Sequence, residues 1–163
     1  MIQPIRKSTK PIKQVDGDAD KFFAYREAWT RIKEAQKQGF YLEAITIEES
    51  IISDRLYSYF RNVLKIEKKP NTLKGMHDLW KKHHPEVIAS GNYTDLIQAL
   101  DKWREERNKA IHAIVQSDTH VDRSIDNFLS DTRTVAEDGE KLTRIISQWC
   151  DRKIKEAELS NQL

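Results

Sequence analysis

With 163 residues the chain fits a single domain and is long enough to bury a real hydrophobic core. A single cysteine, Cys150, excludes an internal disulfide and fits a reducing compartment. No apolar run approaches the roughly 18 residues of a membrane span, and the basic amino end has no hydrophobic stretch behind it, so a soluble cytoplasmic protein is expected.

The formal net charge of +2 is unevenly placed. Residues 1–15 carry Arg6, Lys7, Lys10 and Lys13 with no acid, and without periodicity they read as part of a flexible basic arm over 1–17. The first helix is predicted from about Asp20 to Gln38, burying Phe22, Tyr25, Trp29 and Ile32, with Gly39 as its stop. A second helix, from about Tyr41 to Leu64, returns antiparallel after that short turn. Its main apolar stripe is Leu42, Ile45, Ile52, Leu56, Tyr59, Phe60 and Val63, and Glu49 falls inside it. Ile47 and Ile51 make a second, narrower strip, for which a symmetric dimer is the simplest explanation. Asp54 beside that strip reads equally as a dimer-face acid, an active-site acid or a solvated one.

From Arg61 to Lys82 seven basic residues stand against two acids. Lys65, Lys68, Lys69 and Lys74 are candidate phosphate contacts for RNA, with a solvated surface as the bland alternative. Thr72 is predicted to cap a short third helix that presents Leu73, Met76 and Trp80 and stops before Pro85. His77, His83 and His84 lie near Asp78 and Glu86, but adjacent histidines diverge on a helix and no cysteine supports a metal; none is expected.

Gly91-Asn92 marks a turn, and Thr94 is the expected cap of a fourth helix from Leu96 to Val115. At about 100° per residue, Leu96, Ala99, Leu100, Trp103, Ala110 and Ile114 form one stripe with Arg107 at its centre. A core-facing arginine needs a partner or a task. Glu49 is the economical partner: two helices each place one charge, of opposite sign, on an apolar face. The pair reads either as a structural register device or as one that also presents a guanidinium to a phosphate. Asn108 follows, and His112 lies one turn after Asn108 but about 140° from Arg107, so arginine and histidine meet only at a groove edge or across a subunit boundary. The fifth helix, from about Val121 to Lys155, shows Ile125, Phe128, Leu129, Val135, Leu142, Ile145, Ile146 and Trp149 on one side, and 156–163 reads as a flexible tail. The expected architecture is therefore all-α, an up-and-down bundle of four long helices over 18–155 with a short one inserted.

The run Arg107-Asn108-Lys-Ala-Ile-His112 resembles the Arg-polar-x-x-x-His motif of HEPN domains, the helical endoribonucleases of toxin–antitoxin and antiphage systems. The stretch from Gly39 to Leu56 is similar to their earlier core helix, and the resemblance spans about residues 20 to 150. It implies a homodimer with motif arginines and histidines lining an interfacial cleft, metal-independent RNA cleavage without a cofactor, and control by a separately encoded antitoxin or regulator. Members paired with a nucleotidyltransferase carry a tyrosine two positions after the motif histidine; Ile114 stands there, which argues against that mode of control. The chemistry suits the residues. RNA supplies its own 2′-hydroxyl nucleophile, an imidazole ordinarily titrates near neutrality (about 6.5), and a guanidinium can stabilise a phosphorane-like transition state. Asn108 would orient the histidine or a phosphate oxygen. The rival expectations are a HEPN-like module that binds RNA or nucleotides without cutting, and a helical adaptor for a protein partner.

Overall fold

A computed structural model describes residues 17–113 and 125–162. The helices are α1 (Gly17–Gln38), α2 (Tyr41–Asn62), α3 (Leu73–His83), α4 (Leu96–Ala113) and α5 (Ile125–Ser160), and the only β-type pairing among the described residues is an isolated bridge between Ser90 and Tyr93. No described helix is long and apolar enough to cross a membrane. The basic arm, Ile114 and the last residues expected in the fourth helix lie outside the described residues, apart from Gly17, which opens α1.

Gly39 adopts φ +79°, a left-handed turn that glycine makes without strain, and reverses the chain so that α2 returns along α1. The most extensive contact is between α2 and α5. These two run in the same direction, since Glu48 lies against Gly139 and Arg55 pairs with Asp151 at 3.0 Å further along both. Helix α1 covers one side of this central pair, α4 packs antiparallel on α5, and α3 lies against α2 and α4. The expected all-α class, with four long helices and one short one, is what the described residues form.

Local signals set the ends. Thr72 Oγ1 accepts from Gly75 N at 3.0 Å and caps α3 as expected. The cap of α4 is Asp95, not Thr94: its Oδ1 accepts from Ile97 N at 3.1 Å and from Gln98 N at 3.4 Å. Gly91, at φ +58°, turns the preceding loop against α5, where an added Cβ would lie 2.8 Å from Ile145. An aromatic knot closes the far end of the bundle. Trp149 packs on Tyr59, Trp80 and His84 with ring centroids 4.8, 5.1 and 5.5 Å apart.

Three expectations about burial are corrected. Phe22 is 64% exposed, because α1 faces α2 through Tyr25, Ala28, Ile32 and Ala35, and Phe22 lies off that arc. Ile125 and Leu129 are 77% and 42% exposed, because α5 starts beyond the α1–α2 turn; Gln36, near the end of α1, reaches only Ala136. At its other end α5 continues as helix to Ser160 instead of giving way to a tail after Lys155.

Candidate functional site

The pairing inferred for Arg107 is present. Its Nη2 donates to Glu49 Oε1 and its Nη1 donates to Asn108 Oδ1 at 2.7 Å, so both terminal nitrogens are engaged. The arginine side chain is 16% exposed and that of Glu49 28%, so the pair bridges α2 and α4 in a half-buried position rather than deep inside the core. Arg107 Nε is buried and has no partner. His112 is exposed and makes no hydrogen bond or ion pair with the described residues. Arginine, asparagine and glutamate are therefore brought together, and the histidine stays on another face of α4, as its helical angle requires.

The carboxylate that lies inside the core is Glu48, not Glu49. Glu48 is fully buried, and neither of its oxygens has a hydrogen-bond partner. Its neighbours are Gly139 of α5 and the Trp103 indole of α4, whose Nε1 already donates to Val135 O at 3.0 Å. Burial, reinforced by the nearby Glu140 carboxylate and only partly opposed by the Gln36 amide, pushes the Glu48 carboxyl up to about 9. The signal for this residue was available in the sequence. Ile47 and Ile51 lie on one side of Glu48 around the helix, and Ile52 and Ile45 on the other, so two strips read as separate are one broad buried face with Glu48 in its middle.

The strip at Ile47 and Ile51 is covered within the chain. Ile51 is buried and lines a concavity of about 420 Å³ with Ala24, Tyr25 and Ala28 of α1, and Ile47 packs against the core. Asp54 belongs to the same contact: it accepts from the Tyr25 hydroxyl and lies 3.3 Å from Lys21 Nζ. Burial works against its charge, but Tyr25 and Lys21 outweigh that and hold the carboxyl below its ordinary range. Asp54 fastens α1 to α2, on a different face of α2 from Glu49.

The four candidate phosphate contacts do not act alike. Lys65, at φ +58°, donates to Asn62 O at 2.8 Å and finishes α2. Lys74 is paired with Asp78 one turn along α3 at 3.0 Å. Lys68 and Lys69 are exposed, with Lys69 Nζ 5.6 Å from the Tyr57 ring centroid. If these lysines serve as phosphate contacts, reversing Lys68 and Lys69 together to Glu is expected to weaken RNA binding and flatten its salt dependence, because phosphate contacts release counterions. Filter binding across a salt series reads this, and an unchanged slope would leave the segment as ordinary surface.

The histidines near α3 are committed separately. His77 Nδ1 bonds Asp78 at 3.0 Å, whereas His84 bridges Glu86 at 2.8 Å and the Tyr59 hydroxyl at 2.5 Å. His77 and His84 both line a cleft of about 290 Å³ with Lys81, Glu86 and Asp101, which the sequence did not disclose. No group of three or more His, Cys, Asp or Glu side chains among the described residues is placed to hold a metal ion. Cys150 is buried, and that burial pushes its thiol up, away from reactivity.

Comparison with protein-family models, with curated proteins and with solved structures gives no match to this chain. The arrangement of side chains and the motif they form carry the functional argument.

Proposed function

We propose that the protein is a metal-independent RNA endonuclease of HEPN type, acting in toxin–antitoxin control, phage defence or stress response. The observation that carries this reading is the Arg107 cluster. One helix presents an arginine anchored by Glu49 and a neighbouring amide at 2.7 Å, followed one turn later by an exposed imidazole. Glu49 fixes one edge of the guanidinium, and a phosphate oxygen would take the place of Asn108 on Nη1, so the charge is oriented before substrate arrives. His112 would take the proton of the RNA 2′-hydroxyl as that oxygen attacks phosphorus. The P–O5′ bond breaks, and the departing 5′ oxygen takes a proton from water, leaving a 2′,3′-cyclic phosphate and a 5′-hydroxyl, while His112 later returns its own proton to solvent. Arg107 would stabilise the charge that develops on the non-bridging oxygens.

A homodimer accompanies this proposal, since arginine and histidine on different faces of one helix serve a single phosphate most simply when two copies share a cleft. The strip at Ile47 and Ile51 is taken by α1. Among the exposed apolar residues, Ile125 and Leu129 stand at the start of α5, where Phe128 and Ala113 line one concavity of about 310 Å³. His112 lies beside Ala113, so contact there would bring the histidines of two copies toward each other.

Purified protein incubated with total RNA in chelator is expected to leave cyclic-phosphate ends, and His112→Ala is expected to abolish cleavage with folding and RNA binding close to intact. Cleavage by His112→Ala at the normal rate would remove the motif from the reaction. The occupied terminal nitrogens of Arg107 favour a second reading, a non-cleaving module or adaptor in which the pair is structural. RNA retained without cleavage would identify the former, and neither activity the latter.

A further inference from the structure

The buried Glu48 is used by nothing described so far. Its carboxyl lies between α2 and α5 beside Trp103 of α4, and of its neighbours only the Gln36 amide offsets part of the cost of its charge. From α5 comes Gly139, whose missing Cβ makes the room that the carboxyl fills; a Cβ there would collide with Glu48 Oε2. From α4 comes Trp103, but its N–H is turned to Val135 O. From α1 comes the amide of Gln36, with Nε2 directed to Ala136 O at 3.4 Å. The charged group that bears on it is Glu140 of α5, of the same sign and itself paired with Arg144 at 2.8 Å. Among the described residues no cation pairs with Glu48, and the adjacent Glu49 takes Arg107 for itself.

We propose that Glu48 sits in this seam as an uncharged acid, and that its proton is the latch that keeps α2, α4 and α5 closed beside the Arg107–Glu49 pair. An ionised carboxylate without a partner is the most costly occupant of such a position, and a neutral acid is far less so. Loss of the proton therefore forces the group toward water. Trp103, which borders the same gap at Gly139, stands one turn before Arg107 on α4. The device is independent of whether Arg107 serves RNA.

The sign follows from the shift. Folding raises the proton affinity of this group from its ordinary 4.5 to about 9. The stabilisation is complete below the ordinary carboxyl range and is lost as pH climbs toward about 9. Across that window the unfolding equilibrium constant should rise about tenfold per pH unit relative to a chain without the group.

Denaturant unfolding of the full chain from about pH 5 to about pH 10, beside Glu48→Gln and Glu48→Leu, reads this directly. The wild type is expected to lose stability with that slope relative to both variants. Parallel pH profiles for all three would overturn the proposal. Infrared spectra of protein labelled at glutamate carboxyls need no variant to fold: a protonated-acid carbonyl band at neutral pH, lost on alkalinisation, is expected, and its absence from the folded wild type overturns the neutral acid. Hydrogen exchange of α4 amides around Trp103, corrected for intrinsic base catalysis, is expected to accelerate at alkaline pH in the wild type but not in Glu48→Gln. Equal rates in both would overturn the latch.

Discussion

Replacing Arg107 with alanine is expected to lower stability and, under the nuclease function proposed above, to abolish RNA cleavage, whereas His112→Ala should affect cleavage alone. The difference comes from what each side chain leaves behind. Arg107 is 16% exposed and holds Glu49; removing it strands a carboxylate that is 28% exposed on α2. Breaking a buried pair by deleting one partner costs about 3–5 kcal/mol, and the partial exposure of Glu49 puts this pair near the lower end, about 3 kcal/mol. His112 is exposed and holds nothing among the described residues, so its loss should leave stability within about 0.5 kcal/mol. The double replacement Glu49→Leu with Arg107→Leu removes the stranded charge and is expected to recover most of the stability without the activity. A double-mutant cycle by denaturant unfolding, run beside the cleavage assay, measures the coupling. Additive effects would mean that Glu49 and Arg107 do not act as a pair.

The second large effect is expected at Gly139. Alanine is the better helix former by about 1 kcal/mol, and on an exposed helix Gly139→Ala would stabilise. Here the added Cβ would collide with Glu48 Oε2 and lie 2.7 Å from Trp103 Nε1 and 2.9 Å from Trp103 Cε2. The carboxyl is a flexible end but is enclosed, and the indole is pinned by its bond to Val135 O at 3.0 Å. Overpacking of a close-packed contact costs about 1–3 kcal/mol, and with two neighbours unable to retreat the upper part of that range applies. The net expectation is a loss of about 2 kcal/mol in denaturant unfolding. Adding Glu48→Ala should return part of it, leaving the contact with Trp103. A Gly139→Ala protein as stable as the wild type would mean that α2 and α5 approach less closely than described.

The helical class, the order of the elements and the partner of Arg107 were legible in the sequence, because each follows from local periodicity. Apolar residues at helical spacing set α1 to α5, Gly39 sets the first reversal, and an arginine on one apolar face called for an acid on another. Periodicity gives the direction in which a side chain leaves its helix, but not how far the covering neighbour extends. Phe22, Ile125 and Leu129 therefore remain exposed although they belong to apolar patterns. Asp54 shows the same limit: beside an apolar strip it read three ways, and only the approach of Tyr25 and Lys21 from α1 gave it a role.

The sequence by itself determined an all-helical chain with a basic segment, a core-facing arginine and an RNxxxH run on one helix. The flanking isoleucines of Glu48 are in the sequence, but only the tertiary structure joined the two apolar strips of α2 into one covered face and so decided which carboxylate is buried. Helix α2 is covered by α1 on one side and by α5 on the other, and the overlap of those two contacts moves the centre of its buried face from Glu49 to Glu48. Burial is a property of all the neighbours at once, and a helix read alone shows only its own face.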